Sequence, residues 1–319
     1  MGLTISGVNK KPRSINCFEE KKVLPKLLLL ATTRDRPQIY LERLFNSLAA
    51  QENKNFILLL GDQSQNGISD SFLNDYKGKF SFKIVKILPC GLSEARNILL
   101  GIAPKGYEWF TLTDDDCYYT PDCFSQFAKY QALEPSAAAF AGNPCETIED
   151  CACSEQSLHS LTCFSAIQKA PSYVLFFRRT AFESVGLFDT CMGIGSNTPW
   201  QSGEETDILI RMIVSGFRVY RAKGINVLHD TIFKNPLDTK KIRSYGAGRM
   251  FLLVKHKYSI FFCLLNIAYP VIISLPHFFS RGPLSFRVYS HMFWGRLLGY
   301  IKLIFMRLKN CKSQKTSLE

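Results

Sequence analysis

No glycine-rich loop closing on a lysine, the phosphate cradle of an ATPase, occurs in this 319-residue chain. Its absence argues against that class of phosphoryl transfer. The first 25 residues are polar and basic and hold no apolar segment of the kind a secretory signal carries. The 11 cysteines are an odd set without regular spacing, so a reducing, cytosolic setting is expected in place of a disulfide framework. Cys145, Cys151, Cys153, His159 and Cys163 are zinc-ligand residue types, but their spacing fits no standard zinc pattern, and buried or incidental thiols are expected there. The chain has no internal repeat and no low-complexity tract. Its basic residues form no long run interleaved with aromatics, and no nucleic-acid-binding motif is found, which removes nucleic acid from the expected partners.

What is present points elsewhere. Hydrophobic residues make up 46% of the chain, enough for a sizeable core in one large domain or two smaller ones. Lys and Arg total 39 against 27 Asp and Glu, a net charge of +12, which implies an anionic partner. Many basic residues lie at the two ends, a distribution that fits a membrane surface. Tyr258 to Ser280 contains no charged residue and is long enough for a span of about 20 residues, although Asn266, Pro270, Pro276 and His277 weaken that reading. Leu284 to Leu308 mixes aromatic and aliphatic residues with Arg287, Arg296, Lys302 and Arg307, the pattern of an interfacial helix; the alternative is a pair of core helices. The expected organisation is a basic leader over 1–25, a folded domain over 26–250 and a membrane-associated helical segment over 251–319.

The first 115 residues alternate strand and helix. The runs Lys26–Ala31, Asn55–Leu60, Phe82–Leu88 and Glu108–Thr113 read as strands, the first and last of them buried. Helical spacing over Ile39–Gln51, a short helix at Asp70–Tyr76 and a helix after Gly91 lie between them. That order predicts an α/β fold with a mostly parallel sheet flanked by helices, whose ligands sit at the carboxyl ends of the strands. Further on, helices are expected at Pro121–Gln131, Arg179–Val185 and from Gly203 to Gly216. Strands are expected at Ala137–Ala141, Val174–Phe177, Phe217–Tyr220 and Asn226–His229, and Gly193–Trp200 reads as a flexible loop.

The strand Glu108–Thr113 runs into Asp114, Asp115 and Asp116. Two unit charges about 4 Å apart repel by ~1 kcal/mol in water and ~4 kcal/mol at an effective dielectric near 20. A cation would relieve that repulsion, and carboxylates suit hard ions such as Mg²⁺ or Mn²⁺. A solvated acidic loop is the bland alternative.

Several ordered motifs over residues 26 to 250 together resemble a family 2 glycosyltransferase, an inverting nucleotide-sugar enzyme of the GT-A fold. They are the strand and turn Leu27–Arg34 with the helix ending Ser47-Leu48-Ala49-Ala50-Gln51; Ile57-Leu58-Leu59-Leu60-Gly61-Asp62-Gln63-Ser64; Gly91-Leu92-Ser93-Glu94-Ala95-Arg96-Asn97; the aspartate run; Gly203-Glu204-Glu205-Thr206-Asp207; Val227-Leu228-His229-Asp230; and Arg243-Ser244-Tyr245-Gly246-Ala247-Gly248-Arg249. The resemblance implies that Thr33, Arg34, Asp62, Ser64, Arg96, Asp114 and Asp115 contact the nucleotide sugar. Asp62 would accept from a uracil N–H, and Arg96 would either neutralise a phosphate or hold the aspartate loop. It implies metal ligation by Asp114, Asp116 and His229, with Mn²⁺ or Mg²⁺ as the cofactor. Glu205 or Glu204 would be the base; a pair of acids that merely caps a helix start explains the same residues by about 0.3–1 kcal/mol each. Trp200 and Asp207 would face the acceptor, a glycan or lipid-linked hydroxyl.

The Gln-x-x-Arg-Trp motif of the family's processive polymerases is missing, so transfer of a single sugar is expected, from a donor that is a UDP-sugar. The basic, aromatic C-terminal segment adds a membrane surface as a partner and the cytoplasmic face of a bacterial inner membrane, where surface polysaccharide is built, as the location. A metal-dependent nucleotidyltransferase would also need clustered acids, but not the Glu204-Glu205 helix start or His229. A non-catalytic membrane scaffold is the third reading.

Overall fold

Uninterrupted apolar runs such as Leu27-Leu28-Leu29-Leu30 suit strands covered on both faces. In the protein, described here by a computed structural model over residues 25–152, 156–230, 238–281 and 283–316, they form the middle of a sheet. All of the expected basic leader except residue 25 lies outside the described residues. In chain order the elements are β1 (Leu27–Thr33), α1 (Gln38–Ala49), β2 (Phe56–Asp62), α2 (Asp70–Asn74), β3 (Ser81–Lys86), α3 (Leu92–Ile102) and β4 (Trp109–Asp114). Then come β5 (Cys117–Tyr119), α4 (Cys123–Leu133), β6 (Ala139–Cys145), α5 (Ile148–Ala152), β7 (Leu158–Ser160) and α6 (Cys163–Lys169). The chain closes with β8 (Leu175–Arg178), α7 (Arg179–Val185), α8 (Glu204–Val214), β9 (Val219–His229), α9 (Thr239–Lys255), α10 (Ile260–Arg281) and α11 (Pro283–Thr316).

The strands form one sheet of order β3-β2-β1-β4-β8-β6-β9-β5, with β7 paired to β9. β1 to β4 run parallel, while β8 is antiparallel to both β4 and β6. Because side chains alternate across a strand, Leu27, Leu29 and Ala31 enter a core beneath α1 and α4. Leu28 and Leu30 enter a second core beneath α3, α7 and α8. On α1, Leu41, Leu44, Phe45 and Leu48 are buried, each worth ~1.5–3 kcal/mol when removed from water. A third core lies under α9, α10 and α11 and includes Met192, Trp200, Leu252 and Leu253.

The two short strands expected at Phe217–Tyr220 and Asn226–His229 are one strand, β9. Gly224 sits inside it, where a Cβ would come within 2.8 Å of the Tyr130 hydroxyl. The register against β6 shifts between Ala141 and Asn143, and this bulge is what lets one strand cover both stretches. The loop from Gly193 to Trp200 is held in place. The Leu92 N–H donates to the Ile194 carbonyl at 2.8 Å, and the Gly193 N–H donates to the Trp200 carbonyl at 3.1 Å. The expected domain boundary at residue 250 falls inside α9, which packs on α11.

The C-terminal extension is helical, but among the described residues no helix is long and apolar enough to cross a membrane. The span expected at Tyr258–Ser280 is instead α10, which turns Cys263 and Ile267 into the third core. Of the zinc-type residues between Cys145 and Cys163, Cys145 and Cys151 are buried beside Leu228, His159 is exposed, and Cys153 lies outside the described residues. Among those residues the only acid, thiol or imidazole group close enough to share a metal lies elsewhere, at the aspartates.

Candidate active site

Strand register brings the acids together. Thr33 of β1 pairs with Asp62 of β2, and Thr32 pairs with Asp114 of β4, so three neighbouring strands end at one level. β5 then turns back to pair with β9, with Cys117 opposite His229. That pairing places the His229 ring beside Asp116, 113 residues away, with Nε2 3.0 Å from Oδ1. The ligand atoms of Asp114, Asp116 and His229 all lie within 4.8 Å of one another. Two carboxylates and an imidazole are a donor set that fits a divalent metal ion.

Each member is held from behind. The Ser172 hydroxyl donates to Asp114 Oδ2 at 3.0 Å, and the neighbouring Tyr173 ring stacks on His229, with centroids 4.6 Å apart. Arg36 donates to Asp115 Oδ1 at 2.9 Å and to Asp116 Oδ2 at 2.7 Å. Arg43 donates to the Asp116 carbonyl at 2.8 Å. Burial works against the charge on Asp116, but the His229 hydrogen bond and the charges of His229 and Arg36 outweigh it and hold the carboxyl at about 2. His229 gains in return: burial disfavours its cation, yet Asp116 raises it above its usual value. Asp115 is different. It is buried and accepts from the Thr33 hydroxyl at 2.7 Å, and burial raises its carboxyl in spite of Arg36.

Across the cleft stands the start of α8. Gly203 adopts φ +87°, a left-handed conformation open to glycine, and aims Glu204 and Glu205 inward. Arg96, only 2% exposed, ties this helix to the aspartates. Its Nη1 donates to Glu204 Oε1 at 2.9 Å and its Nη2 to Asp114 Oδ1 at 3.1 Å. Of the two roles expected for Arg96, holding the aspartate loop is the one the geometry shows. Glu205 forms no ion pair among the described residues. Burial first, and the adjacent Glu204 charge second, push its carboxyl up to about 8, although the Arg96 charge acts to lower it. The Thr206 hydroxyl donates to it at 3.1 Å.

These groups line one cleft of about 800 Å³, whose wall includes Thr33, Arg34, Asp114, Asp115, Asp116, Glu204, Glu205 and His229. That volume lies within the range of small-molecule sites. Four residues expected at the site are placed otherwise. Asp62 is buried and accepts from the Ser64 N–H at 2.8 Å, while the Ser64 hydroxyl accepts from the Asp35 N–H at 2.9 Å. Both shape the loop after β2, and Gln63 reaches the cleft in their stead. Trp200 is 3% exposed and stacks on Phe251 at 5.2 Å in the third core. Asp207 is fully buried and meets Arg211, Lys255 and His256 at 3.0, 2.8 and 2.7 Å, joining α8 to the end of α9. Neither Trp200 nor Asp207 lines the cleft.

Arg36, Ser172, Tyr173, Gln201, Ser202 and Lys241 line the cleft as well, and no sequence motif singled them out. Arg36 follows the Thr33–Arg34 turn closely enough to have been included. Ser172 and Tyr173 carry no local signal, since a single 3₁₀ turn, Ser172–Val174, reaches the aspartates only through the β4–β8 pairing. Tyr245, from the Arg243–Arg249 motif, also lines the cleft.

The family model for glycosyl transferase family 2 matches residues 32–189, from the end of β1 to the loop after α7. The chain belongs to glycosyl transferase family 2. The matched stretch includes the three aspartates and Arg96, and Glu204, Glu205 and His229 lie beyond it. No curated protein matches this glycosyltransferase. Among solved structures it is similar to the mannosyltransferase PcManGT from Pyrobaculum calidifontis in complex with GDP-Man and Mn²⁺, with a TM-score of 0.56 at 12% identity, over 85% of this chain and 74% of that chain. It is also similar to S. aureus TarS 1-349, with a TM-score of 0.54 at 13% identity over 86% of this chain and 89% of that one. The same protein in complex with UDP-GlcNAc gives 0.53 at 14% identity, over 81% and 74%. At such identities the likeness speaks for the fold alone.

Proposed function

We propose that this glycosyltransferase moves one sugar from a UDP-sugar to a hydroxyl of a glycan or lipid-linked acceptor, with inversion at the anomeric carbon. One observation carries the reading: the Asp114–Asp116–His229 group and the Glu204–Glu205 helix start face a common cleft and are joined through buried Arg96. Asp114, Asp116 and His229 would hold a divalent ion, which supplies Lewis-acid stabilisation of the charge that develops on the leaving diphosphate.

The chain's own groups do the rest. Arg36 and Lys241, both on the cleft wall, add positive charge on the diphosphate side. Thr33, Arg34 and Asp115 form the wall beside β1 against which the nucleotide would lie. Glu204 is committed to Arg96, so Glu205 is the carboxylate free to accept the acceptor's proton. As that proton leaves, the hydroxyl oxygen bonds to the anomeric carbon and the bond to the diphosphate oxygen breaks from the opposite face. A carboxyl pushed up to about 8 is a stronger base than an ordinary glutamate, which suits this task. Gln201, Ser202 and the Ile194–Gly195 loop would flank the acceptor, since Trp200 and Asp207 face away.

The proposal extends to location. Ile260, Phe261, Leu264, Ile272, Trp294, Leu298 and Phe305 of α10 and α11 are each between 45% and 71% exposed. Such a face among basic residues suits peripheral attachment to an anionic membrane surface, in this reading the cytoplasmic face of a bacterial inner membrane. The test of the reaction is a donor screen with purified protein and Mn²⁺, followed by proton NMR of the product. Release of UDP with a product of inverted anomeric configuration is the expected result. Binding of no nucleotide sugar, or a product of retained configuration, would overturn it.

A further inference from the structure

A second cavity, of about 240 Å³, lies among the C-terminal helices. It shares no lining residue with the catalytic cleft. Its volume falls below the range of sites for drug-sized ligands, so a sugar nucleotide does not fit. Its lining changes character with depth. Ile260 and Ile304 at the rim are 69% and 43% exposed, while Cys263 and Leu303 at the floor are 2% and 7% exposed. The cavity is therefore a mainly apolar shaft, lined also by Tyr258 and Tyr300, that leads from solvent into the third core. On the same two helices, α10 and α11, Phe261, Leu264, Ile301 and Phe305 are exposed as well.

One charged residue lines the shaft: Lys257. Its backbone is left-handed, φ +55°, and the only other non-glycine residue of this kind among the described residues is Asp35, in the turn beside the catalytic cleft. Lys257 ends α9 in a turn where the Lys257 N–H donates to the Val254 carbonyl at 3.2 Å and the Tyr258 N–H to the Leu253 carbonyl at 3.0 Å. Glycine is the usual occupant of that position, and a side chain there stores strain. Lys257 is exposed and forms no ion pair among the described residues. Residues 239–318 hold 14 Lys and Arg and no Asp or Glu, and the carboxylates that reach the end of α9 from elsewhere, Asp189 and Asp207, are paired with Lys255 and His256. An apolar shaft with an unpaired ammonium at its rim, in a stretch without acids, is complementary to an amphiphile with an anionic head.

We propose that this shaft takes the end of one acyl chain of an anionic membrane phospholipid, whose phosphate pairs with Lys257. The inference rests on the membrane-surface part of the proposed function and adds a discrete lipid site to it. No bond is made or broken.

The experiment uses the full chain and two probes: monomeric dioctanoyl phosphatidylglycerol, with its phosphatidylcholine counterpart, and vesicles of phosphatidylglycerol. Native mass spectrometry or calorimetry should show saturable binding of one phosphatidylglycerol, at least tenfold tighter than phosphatidylcholine. Leu303→Trp, which fills the floor, should weaken that binding at least tenfold and leave nucleotide-sugar binding unchanged. Lys257→Gly relaxes the turn, so it should raise the melting temperature yet remove the preference for phosphatidylglycerol; a purely structural lysine would leave that preference intact. Equal affinity for the two lipids, wild-type binding by both variants, or preferential binding of a polyprenyl phosphate over phosphatidylglycerol would overturn the proposal. Vesicle sedimentation reports on the wider surface: its loss with monomer binding intact removes the membrane-surface reading and supports the shaft, and the reverse result removes the shaft alone.

Discussion

Asp116 and Glu205 make opposite demands on protons, and each yields a prediction. Asp116→Ala should abolish Mn²⁺ binding and, with it, Mn²⁺-dependent binding of a UDP-sugar, both measured by calorimetry. Because His229 must be neutral to bind a metal and its value is raised above 6.5, Mn²⁺ affinity should climb as pH rises from 6 to 8. Constant affinity over that range would place the ion elsewhere. Glu205→Gln should lower kcat by ~10²–10⁴ with donor affinity kept. In the intact enzyme the acidic limb of kcat/KM should turn near pH 8, where the Glu205 carboxyl sits. The sign for stability is the reverse. The unfolded chain releases this proton near 4.5 while the folded one keeps it to about 8, so the Glu205 contribution to stability is full below 4.5 and is lost as pH rises to 8.

At the scale of elements, two contacts decide how the helices are placed. Arg96 of α3 links β4 to α8 from a fully buried position. Removing its charge in Arg96→Leu leaves Glu204 uncompensated, a change that costs ~3–5 kcal/mol when one partner of a buried pair is lost. Urea denaturation would measure it, and a loss under 1 kcal/mol would mean that Glu204 finds solvent. The second contact is the crossing of α9 and α11. A Cβ at Gly295 would lie 2.3 Å from the Arg243 carbonyl oxygen, and one at Gly299 would lie 2.7 Å from the Ala247 Cα. Gly295→Ala should therefore push the helices apart and cost ~1–3 kcal/mol, seen as a lower melting temperature. Since Lys241 and Tyr245 reach the cleft from α9, donor binding should weaken as well.

For the whole molecule, the exposed apolar face of α10 and α11 lies on the helices that cover Trp200, Leu252 and Leu253. Cutting the chain after Tyr258 would bare that core, so point substitutions are the cleaner test of membrane attachment. A triple variant, Phe261→Asp, Leu264→Asp and Phe305→Asp, should leave the vesicle pellet for the supernatant and keep its UDP-releasing activity with a soluble acceptor. Sedimentation unchanged from wild type would show that this face does not meet lipid.

The sequence by itself determined the parts whose signal is local. Unbroken apolar runs named β1, β2 and β4, since strands covered on both faces have no polar side to show; β3 is an edge strand with Lys83 and Lys86 exposed. Spacing named α1 and α3, and the resemblance of short motifs pointed to Asp114, Asp116, Arg96 and the Glu204–Glu205 pair. Only the tertiary structure decided how these groups act on one another. Arg96 could have met a phosphate or a carboxylate, and burial between Asp114 and Glu204 settled it. Trp200 and Asp207 stand in the loop and helix that border the cleft, yet α9 draws both into its own packing. Ser172 and Tyr173 support the aspartates and His229 through strand pairings formed across more than 50 residues. Charge and hydrophobicity along a chain state which groups want company; the partners are chosen by which strand ends and helix faces the fold brings together.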